Sequence, residues 1–264
     1  MNLIFYLGAN TGQNLSYYLK KSKVVVAVEA NPTLTKIIQE QYHEYIANQS
    51  LIILNKCITT LDVDNEVVFY IHKYNSVLST FCIPNNQKDF NRINIKSINI
   101  KSLIETFGDP DFIKIDIEGL DGDIIEQLID LGKLPKYLQY ENCGNDILQK
   151  VLLTRKYKSF NIVSFYNFNS IYNNHLTYEA GPFGNDILSP WLKQNQLCEL
   201  YNIMPNSWFD LYFSAQEEEY GNIQMNFYEI TKSFKNQLRK IVPKFMIMSL
   251  IRFKNITIYR IKKH

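Results

Sequence analysis

Residues 5–14 read FYLGANTGQN. The apolar run Leu3-Ile4-Phe5-Tyr6-Leu7 empties into Gly8-Ala9-Asn10-Thr11-Gly12 and passes at once into a helical pattern. A strand that ends in a glycine turn and opens a helix is how a Rossmann-like sheet begins when it holds a nucleotide-like ligand. Glycines let the backbone approach the ligand, and the helix N-terminus aims amide N–H groups at it. The spacing is G-x-x-x-G, so the dinucleotide fingerprint G-x-G-x-x-G is absent, and a plain tight turn would read the same.

The next segments keep to the same plan. Gly12–Lys21 reads as a helix, and KVVVAVE (Lys23–Glu29) is a β-branched run of the kind buried on both faces of a parallel sheet. Asn31-Pro32-Thr33 opens the next helix, with proline suited to a first turn. LIILNKCI from Leu51 reads as a third strand, and EVVFYIH (Glu66–His72) as an edge or hairpin strand. After a polar stretch come DFIKIDIEG (Asp111–Gly119), a strand ending in acids, a helix over Leu120–Leu131 closed by Gly132, and KYLQYEN from Lys136. Strands alternating with helices of this length imply βαβ crossovers and an open, mostly parallel sheet. Past residue 150 the pattern loosens. SFNIVSFYNF and WFDLYFSA read as strands around an irregular segment, about 167–207, that contains AGPFGNDI (Ala180–Ile187). The expected division is 1–221 for the sheet domain and 222–264 for a basic, aromatic extension in which Glu229 is the one acid after Phe227.

Four scattered cysteines with no C-x-x-C pair argue against zinc and a disulfide framework and suit a reducing compartment. The four histidines lack metal-ligand spacing, so no metal is required. With no signal-peptide pattern and no apolar run near the ~20 residues of a membrane span, a cytoplasmic protein is expected. A net charge of +2 gives no reason to expect a nucleic-acid partner. In the extension, Lys232, Lys235, Arg239, Lys240 and Lys244 precede Phe245, Met246 and Ile247. That interleaving suits peripheral contact with anionic lipid, and equally an amphipathic helix packed on the domain.

Three further features carry chemistry. Glu29 closes the second strand twenty-one residues after Gly8, where a carboxylate accepts hydrogen bonds from ribose hydroxyls. NAD and S-adenosylmethionine both fit this pair, and the cofactor without a pyrophosphate tolerates G-x-x-x-G better. Asp116 ends the KID strand, with Glu118 on the same side if alternation continues. These acids could position a hydroxyl nucleophile or act as general base, or either could only cap the helix near Leu120. His72, near Ser76 and Ser79, reads as a surface strand-end residue more readily than as a base.

LGANTGQ, VVAVEANP, IKIDIEG and GPFGND, in this order and spacing, resemble the FkbM-type S-adenosylmethionine-dependent methyltransferases from residue 3 to about residue 215. The resemblance implies a class I methyltransferase sheet of seven strands with the last antiparallel. It also implies methyl transfer to a hydroxyl of a saccharide or natural product, as in surface-glycan biosynthesis. Carried over by position, Gly8, Asn10 and Gly12 would wrap the methionine part of the cofactor, and Glu29 would bind ribose with Asn31 beside it. Asp116 and Glu118 would face the reacting centre. Gly184, Asn185 and Asp186 would belong to a substrate loop, and Asn142, Ser79 and Thr80 would line the crevice. Tyr6 departs from the pattern, since the family generally has Asp there to hold the cofactor's ammonium group. Losing that charge-assisted hydrogen bond would cost roughly 1.5–3 kcal/mol, one to two decades of affinity. Two other readings stay open: a nucleotide-cofactor sugar oxidoreductase on a similar sheet, and a non-catalytic protein with a degraded methyltransferase fold.

Overall fold

The computed structural model describes residues 1–164, 181–187, 191–203 and 208–218. Seven strands form the main sheet: β1 (Leu3–Leu7), β2 (Val24–Val28), β3 (Leu51–Leu54), β7 (Phe112–Ile115), β8 (Tyr137–Glu141), β9 (Ser159–Ser164) and β10 (Phe209–Ser214). Their order is β3-β2-β1-β7-β8-β10-β9, parallel except for β10, which runs antiparallel to both neighbours. This is the Rossmann-like methyltransferase sheet, with its antiparallel strand last in sequence. The strands that read as continuous apolar runs are the central ones. All of β1 and β7 is buried, as a strand covered on both faces requires.

Helices α1 (Leu15–Lys21) and α2 (Pro32–Gln41) carry the chain outward from β1 to β2 and β3. Ile4, Tyr6, Val25, Ala27 and Phe112 share one sheet face and pack with Leu15, Tyr17 and Tyr18 of α1 and Ile38 of α2. After β3 the chain returns to the other side of β1 and adds β7 and β8. Right-handed crossovers then put α4 (Ile100–Phe107), α5 (Asp121–Asp130) and α6 (Asn145–Leu153) on the opposite face. The reversal leaves a crevice beyond the C-terminal ends of β1 and β7, the position where open α/β sheets take ligands.

The structure differs from the sequence reading in several places. α1 starts at Leu15, three residues after the glycine turn has used its own backbone groups: Gly12 N–H donates to Ala9 O and Leu15 N–H to Gly12 O. LIILNKCI is two strands, because the chain leaves the main sheet after Leu54 and Cys57–Ile58 forms β4. β4 joins β5 (Glu66–His72) and β6 (Phe90–Ile98) in a second sheet of order β4-β6-β5, with β5 at an edge as expected. A short α3 (His43–Ala47) follows α2, and α7 (Gln194–Ile203) precedes β10. No helix among the described residues is long and apolar enough to cross a membrane. The extension 222–264, the part of the expected strand beyond Ser164, and residues 167–180, 188–190 and 204–207 of the expected substrate loop lie outside the described residues.

Candidate active site

The glycine turn after β1 is shaped by one close approach. Gly8 has φ +80°, and a Cβ on it would lie 1.8 Å from the backbone carbonyl oxygen of Asp116. Only glycine lets the β1 and β7 ends come this near. Gly8 and Ala9 both donate N–H groups to Val28 O, at 3.0 and 3.1 Å, so the turn is also tied to the end of β2. Asn10 takes a left-handed φ of +49° and turns its own N–H toward Glu29.

Glu29 is the knot of this corner. Its Oε2 accepts from Asn10 N–H at 2.7 Å and its Oε1 from Asn31 N–H at 2.8 Å. The Asn31 side chain then accepts from Thr33 N–H at 3.0 Å, capping α2. Burial pushes the Glu29 carboxyl up to about 7, against the two backbone N–H groups that stabilise its anion. Gly8, Asn10 and Glu29 all line a cleft in the crevice, whereas Gly12 and Asn31 do not. Gly12 instead faces Leu15 and Ile38, where a Cβ would meet side-chain atoms at 2.9 and 3.1 Å.

Asp116 follows the last residue of β7 and Glu141 is the last of β8, so both carboxylates emerge at the same sheet edge. Glu118 joins them by a route that alternation does not describe. The strand has ended at Ile115, and Glu118 reaches the cleft from a left-handed φ of +55°. One oxygen from each of Asp116, Glu118 and Glu141 lies within 4.8 Å of the others, a set that could hold a divalent cation. Neither Asp116 nor Glu118 caps α5. The helix has no side-chain N-cap, and Asp121, its first residue, instead ties down the turn before it, accepting from Ile117 and Gly119 N–H groups at 3.3 Å each. Burial, reinforced by the neighbouring carboxylates, raises Glu118 to about 8. Burial likewise raises Glu141 to about 7 against a hydrogen bond from Trp208.

The cleft has two kinds of wall. Val28, Ala30, Leu34, Cys57, Ile58, Phe69 and Phe81 make an apolar side, partly supplied by the second sheet. The glycine turn, Glu29 and the three carboxylates make a polar side, joined by Lys114, Asp210 and Trp208. Ser79 lines the cleft, Thr80 Oγ donates to Glu118 O at 2.7 Å, and Asn142 borders an adjoining hollow. His72 is no base here: its Nδ1 accepts from the N–H groups of Tyr74 and Asn75, at 3.2 and 3.0 Å.

Gly184, Asn185 and Asp186 are placed elsewhere. Phe183 stacks on Phe112 with centroids 4.2 Å apart, and Tyr137 lies against Gly184. Both Phe112 and Tyr137 begin their strands, at the sheet edge opposite the cleft. Asp186 accepts a hydrogen bond from Tyr17 and pairs with Lys21 at 2.5 Å, while Asn185 is exposed. The GPFGND stretch therefore clamps α1 to the sheet. Its glycines and proline shape a packing turn, which a sequence cannot tell from a ligand loop.

Tyr6 is also out of the cleft. It is fully buried, edge-on to Tyr18 at 5.2 Å, and its hydroxyl accepts from Asn14 Nδ2 at 3.2 Å. Sequence reasoning missed Lys114, Glu141, Asp210 and Trp208. Glu141 had a readable signal, since it ends its strand as Asp116 follows the end of β7.

A doubly wound sheet with a ligand cleft at its switch point, closed by a glycine turn and an acid after β2, is the framework of a Rossmann-like methyltransferase. The chain belongs to the FkbM methyltransferase family, as residues 7–149, more than half of its length, match the methyltransferase FkbM domain. Among solved structures, it is similar to the methyltransferase FkbM from Methylobacillus flagellatus KT, at 13% identity and a TM-score of 0.42. That match covers 80% of this chain and 43% of the other, so this chain spans less than half the length of that protein. An uncharacterized protein from Listeria monocytogenes serotype 4b is similar at 12% identity over 90% of this chain and 75% of that one, with a TM-score of 0.41. The precorrin-6y C5,15-methyltransferase from Geobacter metallireducens GS-15 is similar at 10% identity over 80% and 79%, with a TM-score of 0.35. No curated protein matches the chain. Family membership implies a cofactor of the S-adenosylmethionine type.

Proposed function

We propose that the chain transfers a methyl group from S-adenosylmethionine to a hydroxyl of a saccharide or natural-product acceptor, in surface-glycan biosynthesis. The observation that carries this reading is a cleft in which the glycine turn, Glu29 and the Asp116–Glu118–Glu141 carboxylates meet an apolar wall. The donor set fits the cofactor. Gly8 lines the cleft with bare backbone, Glu29 offers carboxylate lone pairs beyond those its backbone partners use, and Val28, Leu34, Ile58 and Phe69 suit the flat face of a base. When bound, the cofactor supplies an electrophilic methyl carbon on a good leaving group.

What remains for the protein is alignment and one proton. Glu118 is pushed up to about 8 and has no cation within ion-pair distance among the described residues. A carboxylate with its affinity for protons raised to the working pH is the better general base, so Glu118 takes the hydroxyl proton. Asp116, paired with Lys114, orients the hydroxyl, and Glu141 extends the polar floor toward Trp208. Titration calorimetry with S-adenosylhomocysteine and with NAD tests the cofactor. The first should bind, and the second should not bind at millimolar concentration. Transfer of labelled methyl groups from S-adenosylmethionine to extracted surface polysaccharide tests the acceptor class. Tight NAD binding, or methylation of amines alone, would sink the reading.

A further inference from the structure

Lys114 is a buried lysine of β7, 3% exposed, that lines the cleft. The sheet register sets Ala27, Tyr6, Lys114, Gln139 and Tyr212 side by side across five strands. A lysine in that row costs desolvation energy that an apolar residue would not. Its Nζ reaches up the strand to Asp116 Oδ2 at 2.8 Å and stands 5.7 Å from the Tyr6 ring centroid. Asp210, itself bonded by Gln139 Nε2 at 2.8 Å, faces it from β10. Burial pulls the ammonium down, but Asp116, with Tyr6, Asp210 and Tyr18, holds it well above its ordinary value. Asp116 Oδ2 is thus occupied, while its Oδ1 accepts no hydrogen bond from any described residue.

We propose that Lys114 is a positioning residue that acts through Asp116. It fixes that carboxylate with one oxygen taken and the other presented to the cleft. Nothing else among the described residues holds the Asp116 side chain, and its neighbours Glu118 and Glu141 repel its charge. Without the ammonium, Asp116 would turn away from those acids. That change removes an acceptor from the place where an ammonium or hydroxyl of the ligand needs one. This inference rests on the cleft being the cofactor site.

A double-mutant cycle on the full chain tests it, read by calorimetry with S-adenosylhomocysteine. Lys114→Met and Asp116→Asn should each weaken binding at least tenfold. The double variant should be within about twofold of the weaker single variant, because a residue that acts through Asp116 has nothing to act through once Asp116 is changed. Lys114→Arg should keep most of the affinity. If Lys114→Met does not fold, Lys114→Gln takes its place in the cycle. Losses that multiply in the double variant would show that Lys114 serves packing alone and would overturn the proposal. A wild-type chain that binds no S-adenosylhomocysteine removes the cofactor reading and this inference together. Binding by the wild type with multiplying losses removes only the inference.

Discussion

Gly8 and Asp116 approach so closely that one methyl group on Gly8 would stand 1.8 Å from the Asp116 carbonyl oxygen. The ends of β1 and β7 are adjacent only because position 8 has no side chain. Gly8→Ala also places a residue with a Cβ at φ +80°. Overlap and strain together should lower stability by about 2–4 kcal/mol, a fall in melting temperature of roughly 5–12 °C, with loss of S-adenosylhomocysteine binding. Thermal unfolding and calorimetry check both. Unchanged melting of the Gly8→Ala variant would mean that the two strand ends are further apart.

Stability and ligand affinity should respond to pH with opposite signs. Burial raises Glu29 to about 7, Glu118 to about 8 and Glu141 to about 7, all above the usual carboxylate range near 4.5. Between these values the folded chain binds protons that the unfolded chain has released, so stability falls as pH rises through the window. Melting temperature should therefore increase from pH 8 down to about pH 5.5. Affinity for a cationic ligand should instead rise with pH, as the carboxylates ionise. Glu118→Gln should flatten the stability profile and stabilise the chain at pH 8 by about 1–2 kcal/mol, reduced from the full shift because solvent reaches part of the group. A melting temperature independent of pH in wild type would contradict the burial of these acids.

Where the sequence could be read, and where it could not, depends on what each residue type encodes. Leu3–Leu7, Val24–Val28 and Phe112–Ile115 are apolar because both sheet faces bury them, so their pattern announces a central strand. β6 was missed because its first five residues are partly or fully exposed and mostly polar, and its last residues pack in a small second sheet. Glu29 was legible from its place at a strand end. Lys114 was not, because a cation inside an apolar run gives no hint that its partner is two residues further on, just past the strand end. GPFGND misleads for the opposite reason. Glycine, proline and an acid shape a turn against Tyr17 and Tyr137 by the same chemistry that shapes a ligand loop.

That relocation has a direct consequence for Asp186. Asp186→Ala removes the acceptor of the Tyr17 hydroxyl and the partner of Lys21, on the far edge of the sheet from the cleft. The loss should be about 1 kcal/mol, since both charged groups are partly solvated. Affinity for S-adenosylhomocysteine should stay within twofold of wild type. A collapse of binding with stability intact would return this stretch to the ligand site.

Tyr6→Asp tests whether the family's usual acid can simply be restored. The position lies beneath the cleft, and the phenol fills space against Tyr18 while Asn14 bonds its hydroxyl. Replacing a fully buried ring by a short side chain opens a cavity worth about 3–5 kcal/mol and removes the hydroxyl to which the Asn14 amide donates. The new carboxylate would be buried as well, at a cost that only a nearby cation can offset. Lys114 is the one ammonium at that face of the Tyr6 ring among the described residues, and Asp116 already holds it at 2.8 Å. A carboxylate at position 6 would compete for the same cation and loosen Asp116. The expected result is a melting temperature lower by roughly 10 °C and no gain in S-adenosylhomocysteine affinity. If Tyr6→Asp instead bound the ligand tenfold tighter at unchanged melting temperature, the row beneath the cleft would be looser than its register implies, and the tyrosine would be a defect in the site and not part of its floor.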